Sequence, residues 1–162
     1  MSSLKFVCRL LLGLCLAISV SAQDKPPLFG DIERVFREQE TYWKIERLDV
    51  KGDFDPLEQN IVLRSGKRQA AIRVVIWKNV KDARDTFAGE LNARNNMYKG
   101  RRHVRLPNFG DEAYIWKLPG SNAWPTIDFR KGSVNVTVFA PSAGIAKEFA
   151  RRILEQIDAQ QN

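Results

Sequence analysis

The side chains that most often do chemistry are scarce in this chain: one histidine, His103, and two cysteines, Cys8 and Cys15. A Ser-His-Asp arrangement would have to pass through His103. That residue sits in Lys99-Gly100-Arg101-Arg102-His103-Val104-Arg105, a basic run whose simplest reading is a solvated loop. One histidine without cysteine partners gives no zinc spacing, and Asp53 and Asp55 lack the later ligands of a calcium loop. Asp111 and Glu112 could suggest paired carboxylates for glycoside hydrolysis, but neighbours on a strand point to opposite faces. No glycine-rich nucleotide loop is present. The residue inventory thus gives no catalytic residue, no metal ligand and no cofactor, and the expectation is a protein that is not an enzyme.

Two sets of residues could bind rather than react. Lys99, Arg101, Arg102 and Arg105 form the strongest charge feature. They are either a solvated loop or an anion contact whose affinity falls as salt rises. Arg73, Trp77, Asn135, Thr137 and Phe139 fall on alternate positions of two valine-rich segments. They therefore share one face of a sheet, as a mixed aromatic and polar ligand-binding surface. Asn135-Val136-Thr137 matches a glycosylation sequon, which carries no weight inside a strand.

These residues need elements to position them. A helix is expected from about Phe29 to Gln39, with Ile32, Val35 and Phe36 on one face. Tyr42 to Val50 fits either a strand with a bulge or a continued helix, and Lys51 to Asn60 reads as loop around Gly52 and Pro56. Ile61 to Arg64 and Gln69 to Trp77 form a hairpin over Ser65-Gly66-Lys67. Asn79 then caps a helix to about Asn95 with the stripe Ala83, Phe87 and Leu91. Asn96 to Asn108 reads as a basic loop or extended segment. Gly110 to Lys117 and Trp124 to Arg130 are strands joined through Leu118-Pro119-Gly120-Ser121, and a hairpin at Arg130-Lys131-Gly132-Ser133 leads into Ser133 to Ala140. Ser142 caps a last helix, with the stripe Ile145, Phe149, Ile153 and Ile157, to about Ala159.

The second strand–helix unit lies over the first at a constant offset of 62 residues. Ile72, Val74 and Ile76 fall on Val134, Val136 and Val138, while Phe87-Ala88 falls on Phe149-Ala150. This internal pseudo-repeat implies an α+β fold: a two-layer sandwich of a mainly antiparallel sheet with helices on one face. The opposite face is then a ligand groove, a dimer interface, or a surface covered by the N-terminal helix.

Residues 1–22 carry the parts of a secretory signal peptide. Lys5 and Arg9 precede the uncharged run Leu10 to Val20, and Val20-Ser21-Ala22 offers small residues for cleavage after Ala22. Eleven apolar residues make about 16 Å of helix, short of the ~30 Å hydrocarbon core. Cys15 follows Leu14 rather than a small residue, against a lipoprotein signal. Cleavage would leave a single domain, residues 23–162, without cysteine, and lower the formal charge from +7 to +5. Such a charge favours anionic envelope components over nucleic acid. Localisation is expected to be periplasmic or secreted, with no stable membrane span after cleavage.

The stretch Leu106-Pro107-Asn108-Phe109-Gly110-Asp111-Glu112-Ala113-Tyr114, followed by Phe129-Arg130-Lys131-Gly132-Ser133-Val134-Asn135-Val136, resembles a signature of exported bacterial proteins of unknown function. Among these are actinobacterial lipoproteins of the DUF3558 type and the extracellular sensor domain of the mycobacterial kinase PknH. The resemblance spans roughly Leu106 to Ile157 and implies an extracytoplasmic α/β domain that senses or binds, without catalytic residues to carry over. The sensor's disulfides have no counterpart after cleavage. Gly110, Asp111 and Gly132 read mechanically, as a turn, an amide acceptor and a positive-φ hairpin residue. The functional expectation is a non-enzymatic module that binds or senses a small molecule or an anionic envelope component. The alternative is an envelope structural or interaction protein acting as a homodimer.

Overall fold

The computed structural model describes residues 26–53, 55–97, 103–116 and 124–161. The signal segment, Lys99, Arg101, Arg102 and the turn at Leu118 to Ser121 lie outside them. Helix α1 (Pro27–Glu38) starts on a proline whose missing N–H costs nothing in a first turn, and buries Leu28, Phe29, Ile32, Val35 and Phe36. Helices α2 (Val80–Met97) and α3 (Ala143–Gln161) have the expected caps. Asn79 Oδ1 accepts from the Asp82 N–H at 2.9 Å, and Ser142 Oγ from the Ile145 N–H at 3.3 Å.

Seven strands form one antiparallel sheet: β1 (Lys44–Lys51), β2 (Leu57–Ser65), β3 (Arg68–Ile76), β4 (His103–Arg105), β5 (Glu112–Trp116), β6 (Thr126–Lys131) and β7 (Val134–Phe139). Their spatial order is β1-β2-β3-β7-β6-β5-β4. The pseudo-repeat lies at the centre of this order. Ile72, Val74 and Ile76 pair with Val138, Val136 and Val134, so the repeat-related strands exchange about the Val74–Val136 pair. Two meanders, β1–β2–β3 and β5–β6–β7, therefore flank a local two-fold. Phe29, Ile32 and Phe36 of α1 and Phe149, Ile153 and Ile157 of α3 share one core with the inward faces of β2, β3, β6 and β7. Phe149 meets Phe36 edge to face at 5.2 Å and Trp43 at 5.5 Å.

The α+β class and the antiparallel sheet follow the sequence pattern; the side taken by α2 does not. The expectation of helices on one face holds for α1 and α3, which pack together. Helix α2 crosses the other face, where the amide of Asn135 donates to the Ala83 carbonyl at 2.9 Å. Two physical reasons account for this. With α1 against α3, the Val/Ile face is already covered. Only Ala83 and Phe87 of the α2 stripe are fully buried, and the sheet beneath offers polar partners that a short stripe suits.

One open reading is decided, and two others differ from expectation. Of the two readings of Tyr42 to Val50, the bulged strand holds: β1 begins at Lys44, and its bulge between Ile45 and Arg47 breaks the alternation. The expected loop from Lys51 to Asn60 turns into β2 already at Leu57, and Gln59 takes an inward position by donating to the Phe29 carbonyl at 3.3 Å. His103 is not a solvated loop residue but opens edge strand β4, its ring 5.2 Å from Tyr114 and 5.0 Å from Trp116.

Candidate functional site

The face that carries Arg73, Trp77, Asn135, Thr137 and Phe139 is divided by α2 into a covered half and an open half. Over β6 and β7 it is closed. Asn135 and Thr137 are buried there, and so is Asp128. The Thr137 hydroxyl donates to Asp128 Oδ1 at 2.7 Å, and Arg94 of α2 pairs with Asp128 Oδ2 at 3.0 Å. Burial pushes the Asp128 carboxyl above its ordinary range, and Arg94 and Thr137 offset that only in part. The Trp116 indole N–H faces the same carboxylate without reaching good hydrogen-bond geometry. The Arg94 guanidinium also lies 5.8 Å from the Phe139 ring centroid. This polar layer fastens α2 to the sheet. The space between Phe87, Glu90, Leu91, Arg94 and Asp128 amounts to about 10 Å³, at most one water.

Over β1, β2 and β3 the same face is open. Alternation aims Arg47 and Asp49 of β1, Asn60 and Val62 of β2, and Ala71 and Arg73 of β3 to this side. They line a groove of about 270 Å³ that reaches Phe139 at the border of α2. A second groove of about 550 Å³ continues it past Glu46, Arg64 and Gln69. The walls are ion pairs: Arg47 with Asp49 at 2.8 Å, Arg64 with Glu46 at 2.7 Å, and Arg73 with both Glu58 at 2.8 Å and Glu90 of α2 at 3.0 Å. Burial alone would raise the Glu58 carboxyl, but hydrogen bonds from Asn60 and Arg73 hold it below its ordinary value. The floor, Val62 and Ala71, is small and half-buried. A strip with both charges and a shallow apolar floor can hold an extended polar ligand by charge and hydrogen bonds.

The residues singled out in sequence thus part company. Arg73 and Phe139 border the open groove, whereas Asn135 and Thr137 are closed off beneath α2. Trp77 continues β3 through its N–H to the Ser133 carbonyl at 2.9 Å and is half-buried, its indole N–H without an acceptor among the described residues. Arg105, the described member of the basic cluster, is exposed on β4. Arg47, Asp49, Glu58, Asn60 and Val62 went unnoticed. The alternation of Arg47, Asp49 and Lys51 with Leu48 and Val50 was the available signal.

The signature around Gly110 and Gly132 proves mechanical. Asp111 Oδ2 accepts from Arg130 Nη1 and from the Gly132 N–H, each at 2.8 Å, and the Asp111 N–H donates to the Arg130 carbonyl at 2.8 Å. Gly110 has φ +63°, and a Cβ there would stand 2.6 Å from that carbonyl oxygen. Gly132 turns the β6–β7 hairpin at φ +56°. Among the described residues no group of His, Cys, Asp and Glu is arranged to hold a metal ion, and no helix is long and apolar enough to cross a membrane. No protein-family model, curated protein or solved structure matches the chain.

Proposed function

We propose that this chain is an exported, non-enzymatic binding or sensing module whose recognition surface is the open half of the sheet face. The observation that supports this reading is the groove over β1–β3, left uncovered beside a face that α2 otherwise closes. Its ligand would be a small polar molecule or an anionic envelope component, held along the strands by Arg47, Asn60 and Arg73. The resemblance of the stretch around Gly110 and Gly132 to exported proteins of the DUF3558 type and to the mycobacterial sensor domain would fit this role, although those residues build a hairpin and not the groove.

The test is native mass spectrometry of the mature protein recovered from its own envelope, beside the double variant Val62→Gln/Ala71→Gln. Both positions face the open groove, so the variant fills its floor without altering charge or the buried core. A bound mass on the wild type that is absent from the folded variant is the expected result. No bound mass, or one that the variant retains, would overturn the proposal. A dimer that the variant splits into monomers would instead establish the homodimer alternative.

A further inference from the structure

The start of β1 and the β2–β3 hairpin meet at one end of the sheet, and their charges are one-sided. Lys44 stands directly opposite Arg64, Ser65 opposite Arg68, and Lys67 lies at the tip between them. Like charges directly opposite one another on neighbouring strands are destabilising, and all four of these cations are exposed. Within residues 42–46 and 64–69 the one carboxylate is Glu46, already engaged by Arg64 at 2.7 Å and by Gln69 at 3.0 Å. Tyr42 adjoins them and is 78% exposed, the most of any large apolar or aromatic side chain described. Its neighbour Trp43 is buried, edge-on to Phe149, with the Arg68 guanidinium 5.7 Å from its ring. The buried indole therefore fixes the segment while Tyr42 stays in solvent.

We infer that this end of the molecule docks peripherally on an anionic phospholipid bilayer, with Lys44, Lys67 and Arg68 on the headgroup phosphates and Tyr42 at the interface. The inference does not rest on the groove. Lys44, Lys67 and Arg68 line neither groove over β1–β3, and exposed cations outside a groove suit a broad charged plane better than an enclosed ligand. An amphipathic tyrosine ring settles at headgroup depth. Each basic side chain near an anionic leaflet is worth about fivefold in partitioning, so three act together for about a hundredfold.

Co-sedimentation of the mature protein with vesicles is the test. Binding is expected to vesicles of phosphatidylglycerol in phosphatidylcholine at low ionic strength, to fall steeply at about 0.3 M salt, and to be absent from pure phosphatidylcholine. Lys67→Glu/Arg68→Glu should lose at least about 20-fold and Tyr42→Ala a few-fold, each with an unchanged circular dichroism spectrum. Val62→Gln/Ala71→Gln should bind as the wild type does. Equal binding to neutral vesicles, indifference to the charge reversal, or binding to soluble polyphosphate without binding to the anionic vesicles would overturn the inference.

Discussion

Replacing Arg94 by methionine should destabilise the protein by about 3 to 5 kcal/mol at neutral pH, the cost of leaving a buried carboxylate without its counter-charge. The Asp128 side chain is only 9% exposed, and Arg94 is its cationic partner at 3.0 Å. Methionine keeps the contact with the Phe139 ring, so the loss is mainly electrostatic. Asp128→Asn alone should stay within about 1 kcal/mol of the wild type. Burial already raises this carboxyl, so the ion pair does not fully offset desolvation, and the amide oxygen still accepts from Thr137. Asp128→Asn in the Arg94→Met background should then recover at least about 2 kcal/mol. The pH dependence has a definite sign. Asp128 binds its proton more tightly folded than unfolded, so its contribution is full below the unfolded pKa of about 3.9 and is lost as pH rises through the folded value. Removing Arg94 raises the folded value further, and the Arg94→Met deficit should shrink as pH falls from neutral towards about 4. Urea denaturation of the four proteins, followed by tryptophan fluorescence and circular dichroism, measures these differences. A deficit under about 1 kcal/mol, no recovery in the double variant, or a deficit independent of pH would refute the reasoning.

Two further predictions concern the β6–β7 hairpin. Gly110→Ala must take φ +63° and place its Cβ 2.6 Å from the Arg130 carbonyl, which should cost about 2 to 4 kcal/mol and lower the thermal midpoint by roughly 5 to 10 °C. Asp111→Ala removes the acceptor shared by Arg130 and the Gly132 N–H. It should cost about 1.5 to 3 kcal/mol by chemical denaturation, because Arg130 is buried.

The parts of the fold legible in the sequence were those with an unbroken period. Val134, Val136 and Val138 alternate without interruption in β7, and the α3 stripe recurs every fourth residue from Ile145. Strand β1 was obscured by its bulge, and the start of β2 by Gln59, which occupies a core position through a hydrogen bond instead of an apolar side chain. The side taken by α2 was not legible at all. Its stripe says that it packs on something, but which face is free depends on α1 reaching α3, a long-range contact. The candidate site suffered accordingly: Arg73 and Phe139 were found through β3 and β7, while the β1 and β2 contributions needed the strand boundaries. Asp128 reads as one more strand residue until Arg94 and Thr137, distant in sequence, arrive beside it.

The central claim is that recognition belongs to the open half of the sheet face, over β1–β3, and not to the half closed by α2. Hydrogen–deuterium exchange of residues 23–162, with and without a ligand identified by the mass spectrometry above, tests it most directly. New protection is expected in Lys44–Lys51, Leu57–Ser65 and Arg68–Ile76, with β5 and β6 unchanged. Protection confined to α2, β6 and β7, or none anywhere, would contradict it.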